Sequence, residues 1–88
     1  MIYQSIFRAI NLLYIGIGRN AGVRPGDLVG AVANECGIAG GDIGPIRIAD
    51  QFSVVGVPEQ DVERVIAAMQ RATVKGRRVA VRRFVERN

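Results

Sequence analysis

Apolar positions alternate, then recur at helical spacing, then alternate again, and the chain repeats this sequence of patterns. In residues 12–17, Leu13, Ile15 and Ile17 fall on one side of an extended strand and Leu12, Tyr14 and Gly16 on the other. Residues 18–24 are rich in Gly and Asn and predict a loop. Pro25 suits the first turn of a helix, and Asp27 lies where the helix dipole favours an acid. Leu28, Val29, Val32 and Cys36 follow at helical spacing, and Gly37 is a natural stop. After a loop through residue 44, Pro45 opens a short strand carrying Ile46 and Ile48, and a proline there argues for a sheet edge. Asp50 and Gln51 turn the chain into a strand over residues 52–57, where Ser53, Val55 and Val57 alternate with Phe52, Val54 and Gly56. Pro58 and Glu59 open a second helix with an apolar stripe of Val62, Val65, Ile66 and Met69. Lys75-Gly76-Arg77 predicts a turn into a last strand, with Val79 and Val81 on one face and Arg78, Ala80 and Arg82 on the other. The predicted order is βαββαβ, an α+β fold in which two helices cover one face of a four-stranded antiparallel sheet.

Burial of the aliphatic sets drives folding, so Leu13/Ile15/Ile17, Ile46/Ile48, Ser53/Val55/Val57 and Val79/Val81 are expected to face the helices. The open face then carries Leu12, Tyr14, Gly16, Arg47, Phe52, Val54, Gly56, Arg78, Ala80 and Arg82. Tyr or Phe alone on a strand needs no function, because such residues favour strands anyway. Two together, bracketed by Arg, fit a surface on which bases stack and phosphates are held. The loop with Arg19 and Arg24 follows the first strand at one end of this face, where recognition residues often sit; a solvated turn fits it equally well.

Charge adds a direction. The 88 residues carry 12 Lys+Arg and 8 Asp+Glu, a net charge of +4. Residues 1–70 lean slightly acidic, whereas residues 71–88 hold Arg71, Lys75, Arg77, Arg78, Arg82, Arg83 and Arg87 against Glu86. A basic end suits a polyanion partner, and equally a solvated tail. With no His, imidazole catalysis, imidazole metal sites and an imidazole pH switch are excluded. The one cysteine, Cys36, excludes an internal disulfide and a Cys-based zinc site, and suits a reducing, cytoplasmic compartment. The longest apolar run, residues 12–18, is far short of the ~18 residues of a spanning helix, and residues 1–11 lack the features of a signal peptide.

The βαββαβ order with outward aromatics on the first and third strands resembles the RNA recognition motif, a ferredoxin-like sandwich. Leu13-Tyr14-Ile15-Gly16-Ile17-Gly18 is similar to its shorter ribonucleoprotein motif, with Tyr14 at the stacking position. Residues 51–57 are similar to the longer motif, with Phe52 at one stacking position and Val54 where a second ring would be expected. A closer resemblance covers residues 12–83. It rests on the run from Gly18 to Ala31, on Gly40-Gly41-Asp42-Ile43-Gly44, on Phe52-Ser53 before Val57-Pro58, and on Lys75-Gly76-Arg77-Arg78-Val79. These resemble the C-terminal RNA-binding domain of DbpA/CsdA-type bacterial DEAD-box RNA helicases. The resemblance implies a module, excised from a longer protein, that tethers a helicase core to structured RNA, ribosomal RNA in particular. Tyr14 and Phe52 would stack bases, and Arg47, Arg78 and Arg82 would hold phosphates or stack. Arg19 and Arg24 would add loop contacts, and Lys75, Arg77 and Arg83 would extend the electrostatic footprint. No nucleotide-binding motif is visible, so the chain itself is expected to be no enzyme, with ATP and Mg confined to the parent's helicase core.

Other signals point less far. Gly16-Ile17-Gly18-Arg19-Asn20-Ala21 imitates a dinucleotide fingerprint, but the helix is expected only at Pro25. Asp27, Glu35, Asp42 and Asp50 fall near helix ends and turns, where capping accounts for them. The domain is expected over residues 12–84, with residues 85–88 a basic tail. Residues 1–11, with Ile2, Ile6 and Ile10 at helical spacing, are a linker or short helix. That stripe supports an alternative function as a protein-interaction or dimerisation module; Tyr3 and Phe7 accompany it.

Overall fold

Alternation at Leu12 to Ile15 produces the first strand of a computed structural model that describes residues 9–85. β1 (Ile10–Ile15) is followed by α1 (Pro25–Cys36), β2 (Ile46–Ile48), β3 (Ser53–Pro58), α2 (Val62–Arg71) and β4 (Val81–Arg83). The strands form one sheet in the order β2-β3-β1-β4, every neighbouring pair antiparallel. The expected βαββαβ fold is the one found, and β2, opened by Pro45, lies at an edge as its proline demands.

Both helices lie on one face of this sheet. Leu13 and Ile15 of β1, Val55 and Val57 of β3, Leu28 and Val32 of α1, and Val62, Val65 and Met69 of α2 are wholly enclosed between the layers. Each such side chain contributes about 1.5–3 kcal/mol by leaving water. Ser53 shares this face, and its hydroxyl donates to the Ile17 carbonyl at 2.7 Å, so burial leaves it satisfied. Val29 lies only half in the core. At the start of α1, the Arg24 backbone N–H donates to the Asp27 carboxylate at 2.9 Å. At its end Gly37 adopts φ 69, a left-handed stop that suits glycine.

Element boundaries depart from expectation where non-local pairing decides them. β1 begins at Ile10, not at residue 12, because Ile10 and Asn11 pair with Pro58 and Val57. The Glu59 N–H also donates to the Ala9 carbonyl at 2.9 Å, so residues 9–11 belong to the sheet. Pro58, held extended at φ −59 and ψ 139, closes β3 instead of opening a helix. A 3-10 turn, Glu59–Asp61, then leads into α2. β4 is shorter than expected, and residues 78–80 precede it without strand pairing, although Gly16 still donates to the Ala80 carbonyl at 2.8 Å. The Lys75-Gly76 turn is closed by reciprocal hydrogen bonds between Val74 and Arg77 at 2.8 and 3.0 Å. Among the described residues no helix is long and apolar enough to cross a membrane. The stripe of Ile2 and Ile6 and the residues 86–88 of the expected tail lie outside the described residues.

Candidate nucleic-acid interface

The centre of the open face is a row of three side chains from three strands. Tyr14 on β1 stands opposite Arg82 on β4 and Val54 on β3. The Arg82 guanidinium carbon lies 3.9 Å from the Tyr14 ring centroid. Phe52, just before β3, stacks on Tyr14 with centroids 5.4 Å apart and planes 17° apart. The strand order places Arg82 and Phe52 on opposite flanks of Tyr14. An exposed cation–π contact is worth about 0.5–1 kcal/mol and an aromatic pair about 0.5–1.5 kcal/mol, so both contacts favour the row.

Phe52 is held in place from below by a clasp between two loops. The Arg19 and Asn20 N–H groups donate to the Ala49 and Asp50 carbonyls at 2.8 and 2.9 Å. The Arg19 guanidinium donates to the Asp50 carboxylate and, at 2.8 Å, to the Ile48 carbonyl. The Ala49 N–H donates to the Phe52 carbonyl at 2.8 Å and closes the β2–β3 turn. Gly18 makes this approach possible: a Cβ there would lie 2.6 Å from the Phe52 nitrogen and closer still to the Ala49 carbonyl oxygen. The glycines that imitate a dinucleotide motif thus serve loop packing. Arg19, expected to be a loop contact for RNA, is engaged in this clasp.

The face is less open at its β2 end than alternation implies. The Gly44 N–H donates to the Gly56 carbonyl at 2.8 Å, and the Gly56 N–H donates to the Pro45 carbonyl at 2.8 Å. Ile10 and Pro45 cover Gly56, where an added Cβ would lie 2.9 Å from each, and Val54 is buried as well. Gly16 is likewise backed by Ala80. The two glycines therefore do not form flat, exposed backbone.

Between this cover and the aromatic row lies a groove of about 520 Å³, with Leu12, Pro45, Arg47, Phe52, Val54 and Phe84 among its walls. A second depression of about 430 Å³ runs along Tyr14, Phe52, Arg82 and Phe84. Phe84 borders both, and its N–H donates to the Leu12 carbonyl at 2.9 Å. Sequence reasoning missed this third ring because the last strand was expected to end at Arg82. The signal was present, since Phe84 is two residues beyond Arg82 and so shares its face.

Of the predicted site residues, the sheet brings together Tyr14, Phe52, Arg82 and, on exposed β2, Arg47. Arg47 has no hydrogen bond or ion pair with any described residue. Others go elsewhere. Arg78, expected on the open face, instead directs its guanidinium to the Gln70 carbonyl at the end of α2, 3.5 Å away. The alternation that placed it outward requires a strand, and residues 78–80 are not one. Arg83 pairs with Glu63 of α2 at 2.9 Å, on the helix side. Lys75 approaches Asp27 at 3.7 Å, near Arg24 at the start of α1. Arg77 is exposed in the hairpin turn. Cys36 is buried, which pushes its thiol up from the ordinary range, with the Arg64 charge opposing; Arg64 also donates to the Cys36 carbonyl at 2.5 Å.

Residues 12–83 match the DbpA RNA binding domain family. An ATP-dependent RNA helicase DeaD of Mycobacterium tuberculosis is 39% identical over 69% of this chain and 9% of its own length. ATP-dependent RNA helicases DbpA of Bacillus subtilis and Escherichia coli are 32% and 33% identical, over 89% and 80% of this chain. The chain spans only 16% and 15% of those two proteins. The match runs from β1 through β4 and takes in Tyr14, Arg47, Phe52 and Arg82: the chain belongs to the DbpA RNA binding domain family.

Proposed function

We propose that this chain is the RNA-binding module of a bacterial DEAD-box ATP-dependent RNA helicase and tethers the helicase core to structured RNA, ribosomal RNA foremost. The single observation that carries this reading is the Arg82–Tyr14–Phe52 row on the sheet face opposite the helices, inside the region matched by the family. Rings stack on bases of any sequence, while Arg47 supplies a charge for the backbone. Unwinding, with its ATP and Mg, belongs to the core, and the setting is the cytoplasm.

The test is a residue-resolved amide NMR titration with a ribosomal-type RNA hairpin at ~0.15 M salt, where exposed charges are already screened. Duplex DNA of equal charge is the control. Preferential shifts at Tyr14, Phe52 and Arg82 with RNA are expected, and Phe52→Ala weakens binding by about 1–3 kcal/mol without unfolding the domain. Equal, salt-labile shifts confined to residues 71–88 with both polymers would replace this reading with a basic tail that attracts any polyanion.

A further inference from the structure

A depression of about 430 Å³ runs along Tyr14, but the ring beside it is already engaged by two neighbours. The Arg82 guanidinium lies over the Tyr14 ring and Phe52 stacks on it, so a base stacking on Tyr14 competes with contacts already made. The adjoining groove has no such occupant among the described residues. Its floor is Leu12 and Val54, its aromatic walls are Phe52 and Phe84, and Arg47 stands among its lining. Among the described residues no acid lines it. Its volume of about 520 Å³ falls within the roughly 300–1,000 Å³ range of small-ligand clefts. Aromatic walls over an aliphatic floor suit a flat, weakly hydrated ring, and one cation without a partner among the described residues suits one negative charge attached to it. A nucleobase with its phosphate has that form.

We propose that this groove, rather than the face of Tyr14, receives one unpaired nucleotide of the bound RNA, its base between Phe52 and Phe84 and its phosphate at Arg47. The inference rests on the RNA-binding reading above. A base inside a duplex is stacked on both faces and cannot enter, so the groove selects a bulge, a loop or a single-stranded end. Tyr14 becomes a positioning residue: braced by Arg82, it backs Phe52 and fixes the groove wall.

The test compares two RNA hairpins on the intact 88-residue chain at ~0.15 M salt, one carrying a single bulged adenosine and one fully paired. The bulged RNA is expected to bind more tightly and to shift Arg47, Val54 and Phe84. Phe84→Ala and Arg47→Gln each remove that preference, by roughly fivefold or more. Arg47 is exposed on an edge strand, so Arg47→Gln remains informative even if Phe84→Ala disturbs the fold. Equal binding of both hairpins, with both variants neutral, overturns the groove and leaves RNA binding standing. If neither hairpin shifts any residue of the open face, RNA binding there fails and the groove fails with it.

Discussion

The two faces of the sheet are built from the same strands and nearly the same kinds of side chain, yet they do opposite work. Leu13, Ile15, Val55 and Val57 vanish under two helices, whereas their neighbours Leu12, Tyr14 and Phe52 remain partly exposed. Hydrophobicity alone does not distinguish a core from a binding surface; the presence of a cover does. On the helix side each apolar group has already gained its burial. On the open side that gain is still available to a ligand, and the side chains are held ready by contacts with each other.

The largest effect expected from this contrast is Leu13→Ala, which costs about 2–5 kcal/mol in urea unfolding, while Leu12→Ala on the adjacent residue costs far less. Equal losses would mean that the open face is itself covered. Next comes Gly18→Ala. The new methyl overlaps the β2–β3 turn, so stability falls by about 1–3 kcal/mol and, because the turn carries Phe52, RNA affinity falls with it. A variant that loses stability but binds RNA normally would separate the clasp from the site. The smallest effect concerns two adjacent arginines. Arg83→Ala breaks an exposed pair with Glu63 and costs about 0.2–1 kcal/mol of stability, leaving the affinity for RNA at high salt unchanged. Arg82→Ala does the reverse: little stability is lost, and the salt-resistant part of binding weakens. If Arg83 matters as much as Arg82, general charge outweighs the geometry of the row.

Much of this was legible in the chain because it depends on local period. Alternation at residues 12–15 and 53–57 gave both faces of the central strands, and Val62, Val65 and Met69 at helical spacing gave the buried side of α2. Features set by distant partners were not legible. Nothing near Gly56 says that Ile10 and Pro45 will lie over it, and nothing near Pro58 says that Ile10 will pair with it. Arg78 was misplaced because period-two reasoning continued through residues where the ladder is absent. Phe84 was missed for the opposite reason, since the same reasoning stopped two residues early. The ring pair Tyr14–Phe52 was foreseeable as a shared face; its closure by Arg82 into a preformed row was not, because side-chain stacking depends on rotamers that no sequence period encodes.

Residues 14, 52 and 82 meet only because β4, last in the chain, returns to lie beside β1, near its beginning. No fragment shorter than residues 14–82 contains the row. Such long-range pairing forms late, since the entropy of closing the chain must be overcome before the contact can reward it. During synthesis the first ring therefore waits, one side of its strand unpaired, until almost the whole domain has emerged. The row is complete only once β4 has paired, so a chain clipped before it displays Tyr14 and Phe52 without Arg82.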